Sequence, residues 1–362
     1  NSIGVCGIAG GNRTKGGVRI MSCQVFDGDD QVKMVNEARA IKYAADNGAV
    51  ILQCSWGYNS AYANPQLGYM PGPASDEEWA EIYPLEKEAL DYFIHNAGSP
   101  NGVIEGGLAI FASGNEYSYM SSYPAAYEGC LSVASIAADY TPSSFTNYGA
   151  EVDFCAPGGD SEYHCTPGEG TDSNETDVDL GMIFSTLVVE GKATYGYSEG
   201  TSMACPHVSG IAALIVSQFG GPGFTPEKLL AHLYQGTRDI DIYNPEYAGR
   251  LGIGAADAYL ALAEDQGIAP QAVDTLYCGN TSGVVDVTWQ ISADEDDGKP
   301  FQYLVCWSED PLGQLDPGRL PEGVASVRVT VPRAGQVGDT MACRLTAIRG
   351  ETRYYVGIVA ID

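Results

Sequence analysis

Positive charge, histidine and long apolar runs are all scarce in this chain. Lysine and arginine number 18 against 47 aspartates and glutamates in 362 residues, a net charge of −29. That balance excludes nucleic acid and anionic membrane surfaces as expected partners, because both need basic patches. No apolar run reaches the ~20 residues of a membrane-spanning helix, so no membrane span is expected. No Cys-x-x-Cys pair is present, which argues against a zinc site. No glycine-rich phosphate fingerprint stands between a strand and a helix, which excludes a nucleotide-type cofactor enzyme. The four histidines are His95, His164, His207 and His232.

Cysteine is plentiful, at ten residues. Cys6, Cys54, Cys155 and Cys205 sit among small apolar residues, where a free thiol behaves as a small hydrophobe, so most thiols are expected to be free. Cys165, and a Cys278–Cys343 pair, remain open for disulfides. At this length two domains are expected. Apolar runs at Val18–Phe26, Val50–Ser55, Leu108–Ser113 and Leu131–Ala137 predict central strands, and the helical period of Val32–Asn47 and Ala80–Asn96 predicts helices between them. Strands alternating with helices imply an α/β fold: a mainly parallel sheet covered by helices on both faces, with ligands bound at the carboxyl ends of the strands. Beyond Glu264 the period shortens. Val284–Ile291, Phe301–Trp307, Ala325–Val331, Thr340–Ile348 and Tyr354–Ile361 alternate like strands of an all-β sandwich.

The most informative stretch is Gly200-Thr201-Ser202-Met203-Ala204-Cys205-Pro206. Met203 to Phe219 is nearly uncharged and apolar around the whole helical wheel, which predicts a buried helix. Pro206 is expected in its first turn, where a missing N–H has no intrahelical partner. Ser202 then stands at a helix N-terminus, with a free backbone N–H and the positive end of the dipole. A serine hydroxyl in that place suits acyl transfer, provided a base takes its proton.

The run Gly200 to Gly210 resembles the nucleophile motif of the subtilisin-like serine proteases, the subtilases. Ala112-Ser113-Gly114-Asn115-Glu116 resembles the family's segment whose asparagine donates to the oxyanion. Tyr123-Pro124-Ala125-Ala126-Tyr127, Ser144 to Gly149 and Cys155-Ala156-Pro157-Gly158 follow in the family's order. Ser55-Trp56-Gly57 resembles its substrate edge. The resemblance implies a serine endopeptidase acting on peptides or proteins through an acyl-enzyme on Ser202, with Asn115 and the Ser202 N–H as oxyanion donors. Ser55, Trp56, Gly57, Ser113 and Gly114 would bind substrate. It also implies an extracytoplasmic location, and we expect a monomer that requires no cofactor. Glu116, next to the pocket, is either a selector for a basic residue or an exposed loop acid. The segment Gly57–Trp79 is either a specificity element beside the substrate edge or a surface loop.

No histidine stands in the family's general-base context. His207 lies five residues after Ser202, a rotation of about 500° that leaves the two side chains about 140° apart. We expect the triad aspartate and histidine to lie upstream of residue 1 and the chain alone to be nearly inert; the alternative is a noncatalytic pseudoprotease acting as a peptide-binding or adhesion module. The domains are expected as a partial catalytic domain over 1–263, a linker over 264–272 and a sandwich resembling fibronectin type III over 273–362. Calcium is a possible ligand of the acidic loop Gly159–Gly181, with Asp160, Glu162, Glu169, Asp172, Glu175, Asp177 and Asp179, though its spacing is not that of an EF-hand and a solvated loop is the alternative.

Overall fold

The computed structural model describes residues 5–11, 16–26, 33–162, 181–263, 270–281, 284–294, 299–300, 302–313, 315, 320–321, 323–331, 336–345 and 348–361. The chain divides into two units, one made of Asn1–Gly236 and Gly249–Leu262, the other of Thr237–Ala248 and Ala263–Asp362.

In the first unit, β1 (Ile51–Cys54), β2 (Leu108–Ala112), β3 (Leu131–Ile136), β4 (Phe154–Pro157) and, in this numbering, the two-residue β8 (Ala255–Ala256) follow in that order across one sheet. Every neighbouring pair among them is parallel. Strands β2 and β3 are buried along their whole length, as the uninterrupted apolar runs require of strands covered on both faces. The two-residue period assigns the faces. Leu108 and Ile110 join a core with Ala204, Val208 and Ile215 of α4 (Thr201–Phe219) and Leu229 of α5 (Pro226–Gln235). Ala109 and Phe111 join the other core, with Ile41 of α1 (Lys33–Asp46) and Leu90 and Phe93 of α3 (Pro84–Asn96). Each such side chain contributes roughly 1.5–3 kcal/mol on burial. By length and composition α4 could also cross a bilayer, but Ala204, Cys205, Val208, Ala212 and Ile215 are wholly enclosed by protein.

Several expectations are corrected. Val18–Phe26 forms no strand, and Ile20 is 88% exposed. Ala80–Asn96 is not one helix: α2 (Asp76–Ile82), capped by the Ser75 hydroxyl, ends at Tyr83, and Pro84 starts α3, because proline fits a first helical position but not an interior one. The hairpin of β5 (Ile183–Val189) and β6 (Lys192–Ser198), which leads into the nucleophile segment, carried no sequence expectation. The last helix of the unit, α6 (Ala258–Ala261), is a single turn capped by Asp257.

The second unit begins at β7 (Thr237–Arg238), the start of a twelve-residue excursion from the first unit's sequence. Its remaining strands form two antiparallel sheets. One has the order β13 (Thr340–Leu345), β10 (Val284–Gln290), β9 (Leu276–Thr281), and the other β12 (Ala325–Thr330), β11 (Gln302–Ser308), β14 (Tyr355–Ile361). Trp289 and Tyr303 are buried between them, edge to face at 5.4 Å. Cys278 and Cys343 both pair with Val287 from opposite sides of β10. Two strand spacings separate them, about 9–10 Å, which is too far for a disulfide. Both are free thiols, as are Cys54, Cys205 and Cys6, the last exposed, contrary to expectation. His164 and Cys165 lie outside the described residues.

Candidate active site

Helix α4 places Ser202 second in its first turn, after Gly200 with φ +144°. Thr201 is buried, while Ser202 is half-buried and faces a cleft of about 140 Å³. Ser55, Trp56, Gly57, Gly114, Asn115, Thr201 and Ser202 line it, joined by Tyr58, Asn59, Ala112, Glu116 and Ser122. Residues from the carboxyl ends of β1 and β2 and from the N-terminus of α4 thus meet in one place. Of the residues the sequence singled out, only Ser113 is elsewhere. It is fully buried, its hydroxyl donating to the Asn147 carbonyl at 3.2 Å and its carbonyl accepting from the Asn147 amide at 3.0 Å. It shapes the loop beneath the cleft.

Asn115 is oriented by Thr201. Its Oδ1 accepts the Thr201 backbone N–H at 2.9 Å and the Thr201 hydroxyl at 2.9 Å. A backbone N–H can only donate, so the carboxamide oxygen faces Thr201 and its NH₂ faces away. The position that a Cβ on Gly200 would occupy lies 3.6 Å from the Ser202 backbone N, 3.7 Å from Met203 Sδ and 3.8 Å from Asn115 Nδ2. Two donor nitrogens and a thioether sulfur therefore border the space that a side chain there would take. The Ser202 N–H, in the first helical turn, has no intrahelical acceptor. An oxygen bearing negative charge in that space would accept from both, with the helix dipole adding to the attraction.

The Ser202 hydroxyl donates to the Ser55 carbonyl at 3.3 Å. No histidine lines the cleft among the described residues. His207 Nδ1 is paired with the Met203 carbonyl at 2.8 Å, one turn back along its own helix, as the rotation predicts. His95 ends α3 exposed to solvent, and His232 stacks on Phe219 with ring centroids 4.1 Å apart, its pKa lowered by burial.

The loop after β2 is built around Asn147, which sequence reasoning did not single out. Its Oδ1 accepts from the N–H groups of Glu116 and Ser118 at 3.1 and 3.0 Å, and its Nδ2 donates to Glu116 Oε2 at 2.6 Å. Gly114 has φ +108°, and a Cβ there would stand 2.2 Å from Asn147 Nδ2, so only glycine fits. Glu116 is half-buried and, among the described residues, is the only acid in the cleft lining, its Oε2 also within 3.4 Å of the Ser60 N–H.

The segment Gly57–Trp79 lies beside the cleft at its start, through Gly57, Tyr58 and Asn59. Asn59 Nδ2 donates to the Met70 carbonyl at 2.8 Å, closing the loop, and Trp79 is buried with its indole N–H on Glu86 at 3.0 Å. The Tyr58 hydroxyl donates to the same carboxylate at 3.2 Å, and burial beside that negative charge pushes its pKa up. Tyr62, Leu67 and Met70 remain exposed on the loop.

Of the acidic loop, Glu169, Asp172, Glu175, Asp177 and Asp179 lie outside the described residues. Asp160 is buried and saturated by Ser144 and the Glu162 N–H, which makes it an anchor for the chain. Among the described residues no group of three or more histidine, cysteine or acidic side chains could hold a metal ion.

The family model described as the subtilase family matches residues 3–257. Thermitase of Thermoactinomyces vulgaris is 29% identical over 218 residues, 60% of this chain and 56% of that protein. The halolysin-like extracellular serine protease Nep of Natrialba magadii is 32% identical over 160 residues, 44% of this chain and 24% of that protein. Subtilisin BL of Lederbergia lenta is 26% identical over 256 residues, 71% of this chain and 72% of that protein. The chain thus spans between a quarter and somewhat over half of the first two relatives. Among solved structures, the epidermin leader peptide processing serine protease of Staphylococcus aureus matches with a TM-score of 0.48 and 23% identity, covering 66% of this chain and 56% of that one.

Proposed function

The chain belongs to the subtilase family, and on that basis we propose that it is the nucleophile-bearing part of a serine endopeptidase that cleaves peptide bonds through an acyl-enzyme on Ser202. The observation that carries this reading is the pair of donor nitrogens, the Ser202 backbone N and Asn115 Nδ2, 3.6 and 3.8 Å from the position a Cβ on Gly200 would take. Attack by Ser202 Oγ on a carbonyl would place the new oxyanion there. Ser55, Trp56, Gly57 and Gly114 form the walls that hold an extended peptide. Glu116, the one acid among them, favours a basic side chain on the substrate.

On this reading a histidine base and its orienting carboxylate complete the site, and among the described residues none of those lining the cleft is a histidine. Triad members act as a unit, so the 362-residue chain alone is close to inert. The same observation favours a second reading, in which a noncatalytic relative keeps the cleft as a peptide-binding module. The named relatives include an extracellular protease, which supports an extracytoplasmic location. The second unit places its first, second and fifth sandwich strands in one sheet and its third, fourth and sixth in the other, which supports a fibronectin type III-like sandwich used for attachment or spacing.

A fluorophosphonate probe tests the enzyme reading. The full-length gene product should be labelled, Ser202→Ala should abolish labelling, and the 362-residue chain should label far more slowly. An intact full-length protein that takes up no probe establishes the binding-module reading instead.

A further inference from the structure

Pro206 does not lie in the first turn of α4, where sequence reasoning put it. It is the sixth residue of the helix and interrupts its hydrogen-bond ladder. In a regular helix the N–H of residue 206 would bond to the carbonyl of residue 202. Proline has no N–H, so the carbonyl of Ser202 loses its helical donor. The Ser55 hydroxyl occupies that vacancy, donating to the Ser202 carbonyl at 2.7 Å from a position 147 residues earlier in the chain. Gln53 Nε2 donates to Ser55 Oγ at 2.7 Å, which directs the single hydroxyl proton toward Ser202.

We propose that Ser55 is a positioning residue for Ser202: its hydroxyl replaces the N–H that Pro206 removes, and so fixes the rotation of the first turn of α4. The direction of both the Ser202 N–H and its side chain depends on that rotation. A helix without Pro206 would satisfy this carbonyl internally, and its first turn would be tied to the strand ends only by packing, the Thr201–Asn115 bonds and the bond from the Ser202 hydroxyl to the Ser55 carbonyl. With Pro206 the bond passes to the end of β1, whose next residues, Trp56 and Gly57, form a wall of the cleft. The wall and the serine then move as one body. The functional half of this inference rests on Ser202 being the nucleophile; the replaced hydrogen bond does not.

A rescue experiment decides it. Ser202–Met203 is the only Ser-Met junction in the sequence, so labelling serine carbonyls with ¹³C and methionine nitrogens with ¹⁵N isolates the Ser202 carbonyl resonance. Ser55→Ala should move that resonance and slow fluorophosphonate labelling of the full-length protein about tenfold, equivalent to ~1.4 kcal/mol. Adding Pro206→Ala to Ser55→Ala restores a backbone N–H and should return the resonance and most of the rate. Ser55→Thr, which keeps the hydroxyl, should keep the resonance near its wild-type position and covers the case in which Ser55→Ala does not fold. An unmoved carbonyl in Ser55→Ala, or a double variant no better than the single one, overturns the proposal. A wild type that never labels overturns the nucleophile reading, and the carbonyl resonance still decides the hydrogen bond.

Discussion

Asn115 and Thr201, 86 residues apart in sequence, are joined by two hydrogen bonds that both end on the carboxamide oxygen. The residue before the nucleophile therefore sets which end of the amide faces the cleft. Replacing Asn115 with Ala should reduce the rate of fluorophosphonate labelling of Ser202 by about 10²–10³, the cost of losing one such donor in subtilisin, a relative of this chain. Thr201→Val keeps the backbone donor and loses only the hydroxyl, so a smaller drop, about tenfold or less, is expected in the same assay. An Asn115→Ala variant that labels at the wild-type rate would mean that the amide does not act as a donor.

Gly200 is required for two separate reasons. Its φ of +144° strains any other residue, and an added methyl would sit in the space bordered by Ser202 N and Asn115 Nδ2. Gly200→Ala should lower stability by roughly 1–3 kcal/mol in denaturant titrations and suppress probe labelling even at temperatures where the variant is fully folded. A folded Gly200→Ala protein that labels at the normal rate would show that the space is not used.

Asn147 satisfies both hydrogen-bonding ends of its side chain within the loop that carries Asn115. Asn147→Ala would leave the buried Ser118 N–H and the part-buried Glu116 N–H without their acceptor, while the Ser113 carbonyl keeps the Ser122 N–H. A loss of about 2–4 kcal/mol follows, measurable as a lower melting temperature. Faster hydrogen exchange at Glu116 and Ser118 should accompany it.

Asp153 is half-buried beside β3, and the burial of its carboxyl pushes its pKa up to about 6 despite the bond from the Ser132 N–H at 2.7 Å. In the unfolded chain the group ionises near pH 4. The folded state then holds the proton more tightly, so stability is highest below pH 4 from this source and declines as pH rises to about 6, by at most about 3 kcal/mol. Thermal melting of the wild type against Asp153→Asn across pH 4–7 should show a shallower decline in the variant. Parallel curves would place the titration elsewhere.

Much of the fold was legible because its causes are local. The apolar runs at residues 50–55, 108–113 and 131–137 became β1, β2 and β3, since strands buried on both faces must be continuously apolar. Val18–Phe26 has the same composition but is not paired in the sheet, and no local pattern encodes the presence of a neighbour. The break at Pro84 was written in the sequence and passed over in favour of the helical period on either side of it. Asn147 lay within the family-like segment Ser144 to Gly149, but its role was not legible, because an asparagine's partners are unknown until the carbonyls and N–H groups around it are placed.

The sequence by itself determined the chemistry on offer: a serine after a glycine at the start of a buried helix, an asparagine after Ser-Gly, and an acid-rich chain unsuited to polyanions. Those are properties of neighbouring residues and their composition. Only the tertiary structure decided that Asn115 faces the space beside Gly200, that Ser113 turns inward, and that Ser55 takes over the bond Pro206 cannot make. Each of these depends on hydrogen-bond directions between segments some 30 to 150 residues apart, which the three-dimensional packing of the strands and α4 alone brings within reach.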